Sequence, residues 1–262
     1  MSLLTARAPF TPDPPLMLAS VTSPAEARVC LGAGADIIDA KDPSAGALGA
    51  LSVARVTAIA AEIAASETRP ARAVSATVGD LPADPEPVCD AANQMAAAGV
   101  DYVKVGFQRG GDPQGVISRL ADCDLGKARL VGVLFADQNP DFELIRAMAR
   151  AGFAGVMLDT ADKRSGSLSR NLSSGKLSSF IQRSKESRLF AGLAGSLRLN
   201  DIDALANLKP DILGFRGALC LDSDRTFAID ERAVAAVRSR IDAISAIKSR
   251  AAGRGMNTTR LA

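Results

Sequence analysis

Residues 36–50 read DIIDAKDPSAGALGA. The stretch opens as a buried strand and then sets a carboxylate and an ammonium two residues apart at its end. Side chains along a strand alternate between its faces, so Asp39 and Lys41 share a face with Ile37, while Ile38 and Ala40 face the other way. In a barrel one face meets the helices and the other meets the axis. Charges cannot lie unpaired against the helices. Asp39 and Lys41 therefore point inward, at the C-terminal mouth.

Seven further short apolar runs alternate with helical patterns along nearly the whole chain. Strands are expected at 15–21 (PLMLASV), 36–42 (DIIDAKD), 73–79 (AVSATVG) and 102–107 (YVKVGF). Four more are expected at 129–136 (RLVGVLFA), 155–160 (GVMLDT), 189–196 (LFAGLAGS) and 212–217 (ILGFRG). Helices lie between them, such as 85–99, and the last runs over 230–252 with Asp230 as its N-cap. Several helices feed the next strand through a glycine, as in LGAGADII, AAAGVDYV and ARAGFAGV. Eight such units, about 21 to 37 residues apart, imply a single (β/α)8 TIM barrel. An open doubly wound sheet is the rival, but no G-x-G-x-x-G follows the first strand, and the even spacing favours closure. The expected organisation is a flexible arm over 1–15, the barrel over 16–252 and a flexible tail over 253–262.

Composition agrees. A chain of 262 residues is close to the roughly 250 of one such barrel, and 47% hydrophobic residues suffice for its core. A net charge of +2 gives no reason to expect a nucleic-acid or membrane partner. No run approaches the roughly 18 apolar residues of a membrane span, and the Pro-rich start lacks a signal peptide's apolar stretch. Cys30, Cys89, Cys123 and Cys220 show no paired spacing, which fits reduced thiols in the cytoplasm better than a disulfide frame or a zinc site. The chain has no histidine, which removes the commonest general base and every His-ligated metal. Acid–base chemistry must come from Lys, Asp, Glu or Tyr. No metal or cofactor is expected, and a homo-oligomer is left open.

The pattern of strand-end charges recurs. Lys104 interrupts YVKVGF, Asp159 closes the polar end of GVMLDT with Lys163 in the loop beyond, and Arg216 sits near the end of ILGFRG. These belong to strands 2, 4, 6 and 8, and barrel interiors are filled in layers drawn from alternate strands. Carboxylates and cations would then converge on one pocket. An interior salt-bridge network without chemistry is the competing reading, weakened because a buried ion pair often costs as much desolvation as it returns. A lysine is a nucleophile only when neutral, and lowering its pKa from about 10.4 to about 7 takes roughly 4.6 kcal/mol. Desolvation with a second cation nearby supplies such a shift, as with Lys41 and Lys104 in one cup. The chemistry implied joins an amine to a carbonyl.

The seventh strand ends AGLAGSL and the eighth GFRGALC. Loops after these two strands are the usual phosphate site of a barrel. Gly195, Ser196, Arg216 and Gly217 are the expected contacts, although small residues there also serve packing. In SATVGD, Ser75 and Thr77 either form a polar wall or fill a small-residue layer.

The motifs GADIIDAKDPSAGALGA, VSATVGD, DYVKVG, VMLDTADK, GLAGS and GFRGALC come in that order. Over about residues 16–235 the chain resembles the (5-formylfuran-3-yl)methyl phosphate synthase family, also called 4-(hydroxymethyl)-2-furancarboxaldehyde-phosphate synthase. The resemblance implies a barrel lyase that condenses two molecules of glyceraldehyde 3-phosphate into a phosphorylated furan aldehyde, toward a methanofuran-type one-carbon carrier. It implies an imine at Lys41, a proton acceptor at Lys104, and functional positions at Asp39, Asp159 and Lys163. The chain departs from the family after GFRGALC, where it reads LDSDRTFAID and where the resemblance would place second-phosphate contacts such as Arg225, and in carrying Asp42 where Asn is familiar. Another lysine aldolase or phosphosugar lyase, or a barrel that only binds a phosphometabolite, would share most of these features.

Overall fold

In a computed structural model of the protein, residues 13–66, 73–162 and 166–255 are described. Eight parallel strands close on themselves in chain order. They are β1 (Leu16–Val21), β2 (Ile37–Ala40), β3 (Ala73–Thr77), β4 (Tyr102–Phe107), β5 (Arg129–Phe135), β6 (Gly155–Asp159), β7 (Phe190–Leu193) and β8 (Ile212–Phe215). β8 pairs back onto β1, with Leu16 opposite Ile212. Between and after them run α1 (Pro24–Gly32), α2 (Val53–Ala64), α3 (Pro85–Ala97), α4 (Pro113–Ala121), α5 (Leu144–Arg150), α6 (Leu168–Asn171), α7 (Ser174–Glu186), α8 (Ile202–Ala206) and α9 (Glu231–Gly255). The single barrel is as expected.

Period-two alternation sorts the strand residues into two cores. Met17, Ala19, Ile38, Ala40, Val103 and Val105 face outward into the shell against the helices. Leu18, Ile37, Ala73, Tyr102, Val131, Met157 and Ile212 face inward and fill the lower barrel. Two residues further along the same inward faces come Ser20, Asp39, Ser75, Lys104 and Asp159, all buried. A polar tier thus rests directly on an apolar one. β5 breaks the pattern: it stays apolar through Val133 to Phe135.

The bottom of the barrel has its own device. Asp36, Asp101 and Asp211 each stand just before an even-numbered strand. Each carboxylate accepts the backbone N–H of the neighbouring odd strand: Met17 at 2.8 Å, Val74 at 2.8 Å and Ala191 at 2.7 Å. These donors belong to the second residue of each strand and would otherwise be left over. Helices are started by side-chain caps, with Ser23, Ser52, Asp112 and Ser173 each accepting a first-turn N–H. Asp230 does the same for α9, accepting from the Arg232 amide at 2.9 Å.

Three expectations are corrected. β2, β7 and β8 stop at Ala40, Leu193 and Phe215, so Lys41, Gly195, Ser196, Arg216 and Gly217 belong to the loops that leave them. The pattern runs on past these ends because Lys41, Gly195 and Arg216 are still buried, whereas Ser196 is exposed. α9 continues to Gly255, past the expected end at 252; residues 1–12 of the arm and 256–262 of the tail lie outside the described residues. Cys89 and Cys123 are disulfide-bonded, with Cα atoms 6.7 Å apart, against the expectation of four reduced thiols. Their separation of 34 residues spans one strand–helix unit, and they meet because α3 and α4 pack side by side outside the barrel. Cys30 and Cys220 are free and buried, and burial pushes the Cys30 thiol up to about 12.

Among the described residues no helix is long and apolar enough to cross a membrane.

Candidate active site

The polar tier is organised around Asp39. This carboxylate is wholly buried and accepts three side-chain hydrogen bonds: Ser75 Oγ at 2.6 Å, Ser20 Oγ at 3.0 Å and Lys104 Nζ at 3.0 Å. The strand register makes this possible, since Ser20 and Ser75 flank Asp39 directly on β1 and β3. Burial alone would raise its pKa. The Lys104 and Lys41 charges, with the hydrogen bonds from Ser75 and Lys104, outweigh burial and hold it below the ordinary carboxylate value. Asp39 is therefore a fixed anion.

The second pair is wider. Lys41 Nζ lies 3.6 Å from Asp159 Oδ2, longer than a hydrogen bond, while Asp159 Oδ1 accepts from the Thr160 amide at 2.7 Å. Lys41, Lys104 and Asp159 are each at most 6% exposed, yet all three border one cavity of about 430 Å³. The opposite wall comprises Gly195, Ser196, Gly217, Ala218 and Arg225. Asp39 lies beneath Lys104 rather than on the cavity surface.

Loops hold this geometry. The loop after β2, which begins with Lys41, is tied down by Thr77 Oγ1 donating to Gly49 O at 3.1 Å and by the Leu48 amide donating to Asp80 at 3.1 Å. Leu48 is fully buried and plugs the mouth beside Phe135. It enters over Gly106, where a Cβ would come within 2.6 Å of its Cδ1. The plug leaves the opening on the side of β6, β7, β8 and β1. After β7, Gly195 at φ +110° and Ser196 at φ +48° turn the backbone into the cavity, and a Cβ at Gly195 would press on Thr160 at 3.0 Å. The loop after β6 starts on Asp137, whose carboxylate accepts the Ala161 and Asp162 amides at 2.8 and 2.7 Å.

The structure thus brings together Asp39, Lys41, Lys104 and Asp159, with Gly195, Ser196 and Gly217 across the cavity. Lys163 lies outside the described residues. Arg216 reaches the wall, but its guanidinium is engaged with Glu26 in a buried ion pair at 2.6 Å. Ser75 and Thr77 prove to be polar supports rather than filler. Sequence reasoning missed Ser20, Glu26, Leu48 and Asp80. Ser20 was within reach, because it sits two residues past inward-facing Leu18, just as Asp39 follows Ile37. Among the described residues no group of three or more His, Cys, Asp or Glu side chains is placed to hold a metal ion.

A parallel barrel whose mouth gathers two lysines and two carboxylates beside glycine-rich loops after β7 and β8 has the layout of a barrel enzyme's active site. The fold agrees with solved structures: phosphoribosylanthranilate isomerase from Thermus thermophilus superposes with a TM-score of 0.59 over 88% of this chain and 99% of its own, at 12% identity. Sequence is more specific. Residues 17–238 match the 4-HFC-P synthase family, and the chain belongs to it. The (5-formylfuran-3-yl)methyl phosphate synthase of Archaeoglobus fulgidus is 34% identical over 230 residues, covering 83% of this chain and 95% of its own. A Methylorubrum extorquens protein that bears the same synthase name provisionally is 42% identical over 222 residues, covering 84% and 89%.

Proposed function

We propose that the chain condenses two molecules of glyceraldehyde 3-phosphate into (5-formylfuran-3-yl)methyl phosphate, as a carbon–oxygen lyase in methanofuran-type cofactor biosynthesis. Six carbons require two trioses, and the balance closes with loss of one phosphate and two waters. The observation that carries the reading is the pair of buried lysines bordering one cavity, one of them fixed on a buried anion.

Lys41, 3.6 Å from Asp159 Oδ2, is the amine that attacks the aldehyde. Lys104, bound to the fixed anion Asp39, rests as an ammonium. Its charge disfavours a second ammonium at Lys41 in the same dry site. Water leaves the first adduct as the imine forms, and Lys104 donates the proton that this departure needs. Lys104 is then a neutral amine and takes the proton from carbon that the imine has acidified. Acting as donor first and acceptor second, it needs no external base. Asp159 balances the charge that develops on the imine nitrogen, and Lys163 is a further functional position that the family resemblance implies. The backbone amides of Gly195, Ser196 and Gly217 hold the retained phosphate, and Arg216 stiffens that wall.

A cytoplasmic setting belongs to the same proposal, and the Cys89–Cys123 bond is the observation that weighs against it. Incubation with glyceraldehyde 3-phosphate alone tests the reaction. A furan absorbance grows without a second substrate if the reading is right; consumption of triose with no furan would point to another lysine lyase.

A further inference from the structure

Three side chains donate to Asp39, and they stand differently toward the cavity. Ser75 Oγ donates to Asp39 Oδ1 at 2.6 Å and lies off the cavity wall. Ser20 Oγ and Lys104 Nζ share the other oxygen, Asp39 Oδ2, each at 3.0 Å, and both border the cavity. The cavity therefore meets this anion through a hydroxyl and an amine that hang from one atom.

A hydroxyl has one proton to give and two lone pairs. Asp39, held as an anion, can only accept, so the Ser20 proton is committed to it. Toward the cavity Ser20 then presents an acceptor, and its bond to the carboxylate enriches that oxygen in negative charge. The residue is also rigid: β1 sets it opposite Asp39 on β2, its carbonyl accepts Arg216 Nη1 at 3.2 Å, and it is 4% exposed. Ser167, Ser196 and Ser223 border the same cavity, but from half-buried or exposed loops. Ser20 is the one of these four that stands on a strand beside Lys104's anchor.

We propose that Ser20 is a specificity-determining contact, whose oxygen accepts a hydrogen bond from the hydroxyl on the substrate carbon next to the imine. This rests on the triose phosphate and the Lys41 imine proposed above. The carbon that an imine acidifies is the second of the triose, and Lys104 is the group that takes its proton. The same carbon carries a hydroxyl. Because Lys104 and Ser20 hang from one carboxylate oxygen, a triose that turns its C–H to the amine turns this hydroxyl to Ser20. No bond is made or broken at Ser20. Its contact fixes which substituent meets Lys104, and it favours aldehydes that carry the hydroxyl over those that lack it.

Calorimetric titration of the intact chain tests the contact without any chemistry at Lys41. The probes are the alcohol obtained by reducing glyceraldehyde 3-phosphate, and 3-hydroxypropyl phosphate, which lacks its middle hydroxyl. Wild type binds the first about tenfold more tightly, as one hydrogen bond allows. Ser20→Ala binds the two alike. Ser75→Ala removes a support of the same carboxylate and keeps the preference. No preference in the wild type, or one that survives in Ser20→Ala, would overturn the proposal; equal loss in Ser75→Ala would trace the preference to Asp39 and overturn it too. If Ser20→Ala does not fold, Ser20→Cys decides, since a thiol is a weak acceptor, and an undiminished preference there is again contrary. Borohydride trapping repeats the comparison on aldehydes. Ser20→Ala lowers the preference for glyceraldehyde 3-phosphate over 3-oxopropyl phosphate about tenfold, read as half-maximal adduct; an unchanged ratio contradicts the contact. A wild type that binds neither alcohol and forms no adduct sinks the triose reading and this contact with it, whereas binding without preference sinks the Ser20 assignment alone.

Discussion

The two ends of this barrel use the same side chain for opposite purposes. At the bottom, Asp36, Asp101 and Asp211 accept backbone N–H groups and close the sheet. At the top, Asp39 binds Lys104 directly beneath the cavity, and Asp159 lies 3.6 Å from Lys41 on its border. The difference lies in the partner. A carboxylate that serves an amide replaces water with a fixed donor and completes a strand, so its value is structural. A carboxylate that serves a buried lysine decides when that lysine carries a proton, so its value is chemical. Even the pKa directions diverge: Asp39 is held low by its cations, whereas burial pushes Asp211 up.

Substitutions at the two ends should separate accordingly. The largest effect falls on turnover at the top. Lys104→Ala lowers furan formation about 10²- to 10⁴-fold, the range of a lost general acid–base group, while the circular dichroism spectrum stays native. Near-normal turnover in that variant would remove its proton role. Asp39→Asn comes next, because it leaves Lys104 buried without its counter-charge. Breaking such a pair costs about 3–5 kcal/mol, seen as a lower denaturation midpoint together with lost activity. A variant as stable as wild type would mean that the tier is more hydrated than its burial indicates.

At the bottom the expected changes are smaller and leave turnover intact. Asp101→Ala leaves the Val74 amide unpaired and costs about 1–3 kcal/mol in chemical denaturation with kcat unchanged. The pH dependence sets the two ends further apart. Asp39, with a depressed folded-state pKa, contributes stability that is complete above the unfolded carboxylate value of about 3.9 and is lost as pH falls through the folded value. Asp211, with a raised one, acts the other way: its contribution is present below about 3.9 and is lost as pH rises through the folded value. Asp211→Asn therefore gains relative to wild type at neutral pH, by less than about 1 kcal/mol, and the gain disappears in acid. A gain that instead grows as pH falls would contradict the sign.

Much of this was readable from residues alone, because the two governing signals are local. Alternation along DIIDAKD places Asp39 inward whatever the tertiary details, and the same rule finds Lys104 and Asp159. What could not be read depends on contacts across units. The Asp39 clamp by Ser20 and Ser75 requires the β1–β2–β3 register. The Cys89–Cys123 bond requires two helices to be neighbours. The Arg216–Glu26 ion pair requires knowing that Glu26, from α1, comes back to meet the loop after β8. A motif announces that an arginine is present, not whether its donors are already taken.

The proposed chemistry depends above all on Lys41 being the amine that bonds to the substrate, and reductive trapping reads that bond directly. The intact chain, treated with glyceraldehyde 3-phosphate and borohydride and then mapped by peptide mass, should carry the triose-derived mass on the peptide containing Lys41, and lose it in Lys41→Ala. An adduct confined to Lys104, or none while furan is being produced, would contradict that role.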